Sequence, residues 1–160
     1  MAIETEAKIK INEKEFKNLI KILGKPVFFF QENIIYRLNN GMVRVREENG
    51  ERIITFKGKR RKSKFKSRSE IEFKTDSGAD TLRCFFESFG LSKPFIYSKR
   101  RANFNFGKCV VSLDILKGKD YFIEVEGKKE NIEKCLKMLG LEKNKIEKRS
   151  YPEILQNINS

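Results

Sequence analysis

The chain has no histidine and no tryptophan, and only three cysteines and three prolines in 160 residues. Without histidine it lacks the commonest general base, and Ser–His and Cys–His catalysis are excluded. Any bound metal would have to be held by oxygen, which favours Mg²⁺, Mn²⁺ or Ca²⁺. The cysteines, Cys84, Cys109 and Cys135, are far apart and form no C-x-x-C pair, so no zinc site is expected. Their apolar surroundings suggest small core residues in a reducing compartment. No apolar run reaches the ~18 residues of a membrane span, and no secretory leader is evident. The expectation is one cytoplasmic domain over 1–160, without a membrane partner.

Charge, by contrast, is abundant. Charged residues make up 36% of the chain, and the net charge of +13 implies a polyanionic partner. Nucleic acid, a membrane surface or a phosphorylated small molecule would each satisfy it. The 14 Phe among 39% hydrophobic residues are enough to build a core without a metal or disulfide.

Three stretches have the 3.6-residue period of amphipathic helices. In 12–24, Asn12 is a good N-cap, Phe16, Leu19, Ile20 and Leu23 share a face, and Gly24 is a stop. In 76–90 the stripe is Leu82, Phe85, Phe86 and Phe89, ending at Gly90; in 129–140 it is Ile132, Cys135, Leu136 and Leu139, ending at Gly140. A short last helix is expected over Pro152 to Asn157. Period-two alternation marks eight strands: 2–11, 27–37, 42–48, 51–58, 67–75, 94–105, 108–116 and 121–127. Turns at 48–51 (ENGE) and 105–108 (NFGK) read as hairpins.

Nearly every strand is apolar on one side and charged on the other, with like charges paired along it. Arg44 and Arg46 share a face, as do Lys99 and Arg101, Glu4 and Glu6, Glu70 and Glu72, and Glu124 and Glu126. Like charges on one face of an open sheet are mildly destabilising. They are expected where opposite charges, metals or an anionic ligand balance them. Eight antiparallel strands closed into a barrel would bring these faces into one lumen, with the helices packed outside: an α+β fold. The acidic side would be Glu4, Glu6, Glu70, Glu72, Asp114, Glu124 and Glu126. The basic side would be Lys8, Arg44, Arg46, Lys57, Arg68, Lys99 and Arg101. Carboxylates suit a hard divalent cation, and Arg and Lys suit phosphate oxygens, so the residues point to a metal–polyphosphate site.

The E-x-E-x-K at 4–8 resembles the signature of the CYTH family, the triphosphate tunnel metalloenzymes. The resemblance continues in order through VRVR (43–46), TFKG (55–58), RSEIE (68–72), KRR (99–101), SLD (112–114), FIEVE (122–126) and RSY (149–151). The layout is closest to the class IV adenylate cyclase-like branch. The resemblance implies an eight-stranded tunnel and metal ligation by Glu4, Glu6, Asp114, Glu124 and Glu126, with Glu72 a further candidate. It assigns the triphosphate to Lys8, Arg44, Arg46, Lys57, Arg68, Lys99 and Arg101. The cofactor would be Mg²⁺ or Mn²⁺, and Glu4, Glu6 and Lys8 would be the catalytic group. Many relatives have D-x-Y-Y or D-x-Y-F before the Arg-rich strand; here the stretch is Asn33-Ile34-Ile35-Tyr36, which counts against thiamine triphosphatase activity. The expected reaction is cyclisation of ATP to cyclic AMP and pyrophosphate, or hydrolysis of an inorganic or organic triphosphate.

One stretch stands apart from this scheme. KGKRRKSKFKSR (57–68) has eight basic residues in twelve and reads as a solvated, mobile hairpin tip. The competing reading is a nucleic-acid-binding module or an RNA 5′-triphosphatase, which would use such a patch for phosphate contacts. A nucleic acid is less favoured than a small triphosphate, because the inward carboxylates would repel it. Homodimerisation is left open.

Overall fold

The structure, a computed structural model, describes residues 2–157. Its strands are β1 (Ala2–Ile11), β2 (Phe29–Leu38), β3 (Gly41–Glu48), β4 (Glu51–Gly58), β5 (Lys66–Lys74), β6 (Phe95–Phe106), β7 (Cys109–Leu116) and β8 (Asp120–Glu126). Its helices are α1 (Glu13–Leu23), α2 (Ala79–Ser88), α3 (Lys129–Met138) and α4 (Tyr151–Leu155). The strands close into an antiparallel barrel in the order β1-β5-β4-β3-β2-β6-β7-β8, with β8 paired back to β1. Among the described residues no helix is long and apolar enough to cross a membrane.

The local chemistry accounts for the element ends. Asn12 and Glu15 form a reciprocal capping box at the start of α1. Asn49 and Gly50 both have positive φ, the hairpin geometry that favours an Asn-Gly pair between β3 and β4. Gly41 is required by space, since a Cβ there would lie 2.1 Å from the Lys57 carbonyl oxygen. The last helix starts at Tyr151, one residue before the expected Pro152, because Ser150 and Glu153 cap it. It ends at Leu155, before Asn157 turns to a φ of 57°.

The apolar core lies outside the barrel. Ala7, Ile9, Val111, Leu113, Ile123 and Val125 face outward and pack under Phe16 and Leu19 of α1 and Ile132, Cys135 and Leu136 of α3. Complete burial of each large aliphatic side chain here contributes about 1.5–3 kcal/mol. A second cluster seats Leu82 and Phe86 of α2 on Tyr36, Val45 and Ile54. The helices cover the apolar outer faces of β1, β7 and β8 and of β2, β3 and β4, while Ile71 and Phe73 of β5 and Ile96 of β6 stay exposed; the alternation turns the charged faces into the lumen. Cys109 and Cys135 are buried, as expected, but Cys84 is exposed on α2, two positions from each of the helix's buried residues, Leu82 and Phe86, and beside Phe85, which is exposed as well.

Candidate active site

The lumen contains a cavity of about 220 Å³. Six carboxylates line it: Glu4, Glu6, Glu70, Glu72, Glu124 and Glu126. Eight basic side chains join them: Lys8, Arg44, Arg46, Lys57, Lys66, Arg68, Lys99 and Arg101. Strand register explains how the like-charge pairs coexist. Charges alike along one strand mostly meet opposite charges across the ladder: Glu4 lies opposite Arg68, Lys57 opposite Glu70, Lys8 opposite Glu124, and Arg101 opposite Asp114. Glu6 and Glu126 break this rule and face each other as two acids.

Buried ion pairs organise the walls. Lys57 Nζ lies 2.6 Å from Glu4 and 2.9 Å from Glu70. Lys66 Nζ is 2.5 Å from Glu6, and Lys8 Nζ is 3.2 Å from Glu124. Arg101 reaches both Asp114, through Nε at 2.7 Å, and Glu124. Burial alone would raise the Glu124 pKa, but Arg101 and Lys8 outweigh it and hold the carboxyl well below its usual range. Burial and the neighbouring Arg101 push Lys99 down to about 7, even with Asp114 at 2.8 Å.

Asp114 does not line the cavity. It is fully buried behind the wall, where its carboxylate accepts from Lys99, Arg101 and the Tyr151 hydroxyl, the last at 2.5 Å. Tyr151, in the first turn of α4, also lies beneath two lumen cations: Lys8 Nζ is 3.8 Å and Lys99 Nζ 4.4 Å from its ring centre.

Two corners of the cavity carry uncompensated charge of opposite sign. At the end of β8, desolvation and the nearby charges of Glu4 and Glu6 push the Glu126 carboxyl up to about 7. On β3, burial and the neighbouring Arg44 and Arg101 lower Arg46 to about 10. Arg44 Nε and Arg68 Nε are buried donors with no hydrogen-bond partner among the described residues, although Arg68 Nε lies 3.6 Å from Glu4. Among the described residues no group of three carboxylates stands ready to hold a metal, because most are turned onto lysine or arginine. The donor set nevertheless fits a hard divalent cation. It is all carboxylate oxygen, and the crowding that raises Glu126 is relieved by added positive charge. Unpartnered arginine donors fit phosphate oxygens in the same way.

A second cavity, of about 380 Å³, adjoins the first where β2 turns into β3. The two share Ile35, Met42, Arg68, Ser150 and Pro152 in their walls. Leu38 adds apolar surface to the second cavity, and Arg37, Lys59 and Arg60 line its charged side.

Of the residues expected from the sequence, all but Asp114 line the cavity. Lys66, Tyr97, Tyr151 and Asn33 were not among them. Lys66 has the inward parity of Arg68 but was hidden in the basic run. Asn33 accepts a hydrogen bond from Arg46 Nε at 2.8 Å, on a strand with no charged inner face to notice. Tyr36 points outward onto Phe86, and Ile35 takes the lumen position. The basic run is not one free tip. Lys57, Lys66 and Arg68 face the lumen, and Phe65 is buried in the core. Of the rest, Arg60 pairs with Glu153, Lys64 with Glu133 at 2.8 Å, and Lys148 reaches the Ser63 carbonyl at 2.9 Å.

The CYTH domain family model matches residues 2–151. A Methanocaldococcus jannaschii protein, named provisionally as an adenylate cyclase, is 26% identical over 95% of this chain and 98% of its own. A solved Pyrococcus horikoshii protein, PH1819, superposes with a TM-score of 0.78 at 26% identity, covering 96% of this chain and 98% of that one. A Hippeastrum protein, described as a provisional adenylyl cyclase with a dominant triphosphatase activity, superposes with a TM-score of 0.69. It is 15% identical and covers 100% of this chain and 98% of its own.

Proposed function

The chain belongs to the CYTH family, and on that premise we propose that it is a divalent-metal-dependent enzyme acting on an organic triphosphate bound in the barrel lumen. The observation that carries this reading is the placement of an acid-rich corner and an arginine corner with spare positive charge in one cavity. A structural network of ion pairs has no need of either excess. The relatives support the same reading, since one is named provisionally as an adenylate cyclase and another is described by its triphosphatase activity.

In this reading Glu4, Glu6, Glu124 and Glu126 hold Mg²⁺ or Mn²⁺, directly or through water. The bound ion supplies charge neutralisation at the phosphate oxygens as the phosphoryl group is transferred. Lys57 and Lys66 release Glu4 and Glu6 and turn to the incoming phosphates, which keeps the pairing of charges intact. Arg44, Arg46, Arg68 and Arg101 fix the phosphate chain by forked hydrogen bonds, which is positioning plus electrostatic stabilisation. Asp114 acts from behind the wall, aiming Lys99 and Arg101 inward. Lys8 sits between Glu124 and the Tyr151 ring, where Glu124 holds it in the charged form against the cost of burial, placed to steady negative charge on a leaving oxygen.

The adjoining vestibule supports an organic substrate over inorganic triphosphate, since Ile35, Leu38, Met42 and Pro152 offer apolar surface beside the phosphate site. Thiamine triphosphate is disfavoured, because Ile35 stands in the lumen where relatives with that activity are expected to use tyrosine. Two reactions share this site. Attack by water on the terminal phosphorus gives a triphosphatase; attack by a ribose 3′-hydroxyl on the α-phosphorus gives a cyclase and releases pyrophosphate. The deciding experiment is a panel of ATP, tripolyphosphate and thiamine triphosphate with Mg²⁺ or Mn²⁺, followed by product identification. ATP turnover that stops when metal is chelated is the expected result. Metal-independent turnover, or none with any substrate, overturns the reading.

A further inference from the structure

Arg46 differs from every other cation in the lumen. Lys8, Arg44, Lys57, Lys66, Arg68, Lys99 and Arg101 each have a carboxylate within 3.6 Å. For Arg46 the nearest recorded among the described residues is Glu48, at 3.9 Å, and that carboxylate already accepts from Gln31. Its close partner is neutral: Arg46 Nε donates to Asn33 Oδ1 at 2.8 Å. Asn33 is completely buried and opposes Arg46 in the β2–β3 ladder, so the contact is fixed by register. The amide orientation follows from chemistry, since its NH₂ group would repel a guanidinium. The other near charges, Arg44 and Arg101, are positive.

A buried arginine in this setting would ordinarily sit on an aspartate or glutamate, because an unpaired buried charge is costly. Aspartate has the shape of asparagine and would fit position 33. A carboxylate there would satisfy Arg46 and also cancel the charge it presents to the cavity. We propose that Asn33 is a positioning residue: it holds the Arg46 guanidinium in place without a counter-charge, leaving that charge for a phosphate group of the substrate. The β2–β3 corner is then the part of the lumen that takes phosphate without metal. This inference rests on the proposed triphosphate reading of the cavity.

The test is calorimetric titration of the full chain with tripolyphosphate in the absence of metal, with thermal unfolding in parallel. N33D should weaken binding by about tenfold or more, the scale of one neutralised charge contact. It should leave the melting temperature unchanged or raised, because Arg46 gains a salt bridge. Asn33 Nδ2 has no hydrogen-bond partner among the described residues, so the exchange breaks no bond on that side. N33A removes the hydrogen bond without adding charge and should bind tripolyphosphate better than N33D while melting lower. A purely structural role predicts the reverse order in binding. E48Q removes the remaining distant carboxylate and should tighten binding, a result available even if N33D does not fold. Binding by N33D equal to wild type, with R46A impaired, overturns the proposal and spares the triphosphate reading. No tightening in E48Q also counts against the proposal. Equal binding by wild type and R46A removes both.

Discussion

On the wall built by β1 and β5, Glu4 and Glu6 each meet a lysine within 2.6 Å. On the wall built by β2 and β3, Arg46 meets an amide, and among the described residues its nearest carboxylate is Glu48 at 3.9 Å. Both walls carry like-charge pairs along a strand, and both are buried. The first is balanced from within the chain and must exchange partners to take a ligand. The second is already short of negative charge. A polyphosphate with a divalent ion would match both on the proposed reading: the ion would take the carboxylates, the phosphates the released lysines, and the arginine corner would gain an anion. A lumen evolved only as an ion-pair core would show the first arrangement on every side.

Removing a carboxylate from the balanced wall should have the largest effect. Glu4→Gln is expected to lower metal-dependent turnover at least about 100-fold, the scale of losing preorganised charge at a phosphoryl-transfer site, with an unchanged circular dichroism spectrum. On β7, behind the cations of β6, Asp114→Asn strips the shared partner from Lys99, Arg101 and Tyr151. It should cost about 3–5 kcal/mol of stability in urea unfolding, as expected for breaking a buried charge network. On the opposite wall, Arg46→Ala should raise KM about tenfold and change kcat less, since it removes a phosphate contact rather than a metal ligand.

A smaller effect distinguishes the acid corner by pH. The Glu126 carboxyl ionises near 7 in the folded chain and near 4.5 when unfolded. The folded state holds that proton more tightly, so the stability it contributes is lost as pH rises from about 4.5 through 7, and because the Glu126 side chain is exposed at the end of β8, solvent screening keeps the effect small. Glu126→Gln removes that loss. Without metal its melting temperature should exceed wild type by about 2–4 °C at pH 8 and match it near pH 4. Least affected should be a chain with Arg61 and Lys62 neutralised. These residues project from the loop between β4 and β5 and do not line the lumen, so tripolyphosphate turnover should stay within about threefold of wild type. A larger loss would move part of the substrate onto the loop.

Much of this architecture is readable from alternation alone. In β1 every second residue from Glu4 to Lys10 is charged, and in β3 and β8 the pairs Arg44/Arg46 and Glu124/Glu126 alternate with valine and isoleucine, so the inner and outer faces separate without further information. The capped helices follow from Asn12 and the glycine stops. What escaped has a physical reason in each case. Asp114 has the inward parity of a lumen residue, but its depth behind Lys99 and Arg101 depends on their side-chain paths, which period two does not encode. Lys66 was lost because a run of basic residues has no internal boundary; the buried Phe65 beside it marks where the strand begins. The middle of the inner face of β2 carries Gln31, Asn33 and Ile35, so a search for charge passes over the amide that meets Arg46. Tyr151 comes from the far end of the chain, and only the closed barrel brings it under Lys8 and Lys99.

Anomalous diffraction from crystals of the full chain grown with Mn²⁺ and tripolyphosphate tests the central claim most directly. The account predicts a manganese peak in the lumen on oxygens of the Glu4, Glu6, Glu124 and Glu126 group, with phosphate density against Arg44, Arg46 and Arg101. Manganese outside the lumen, or phosphate bound only on the loop at 59–64, would contradict it.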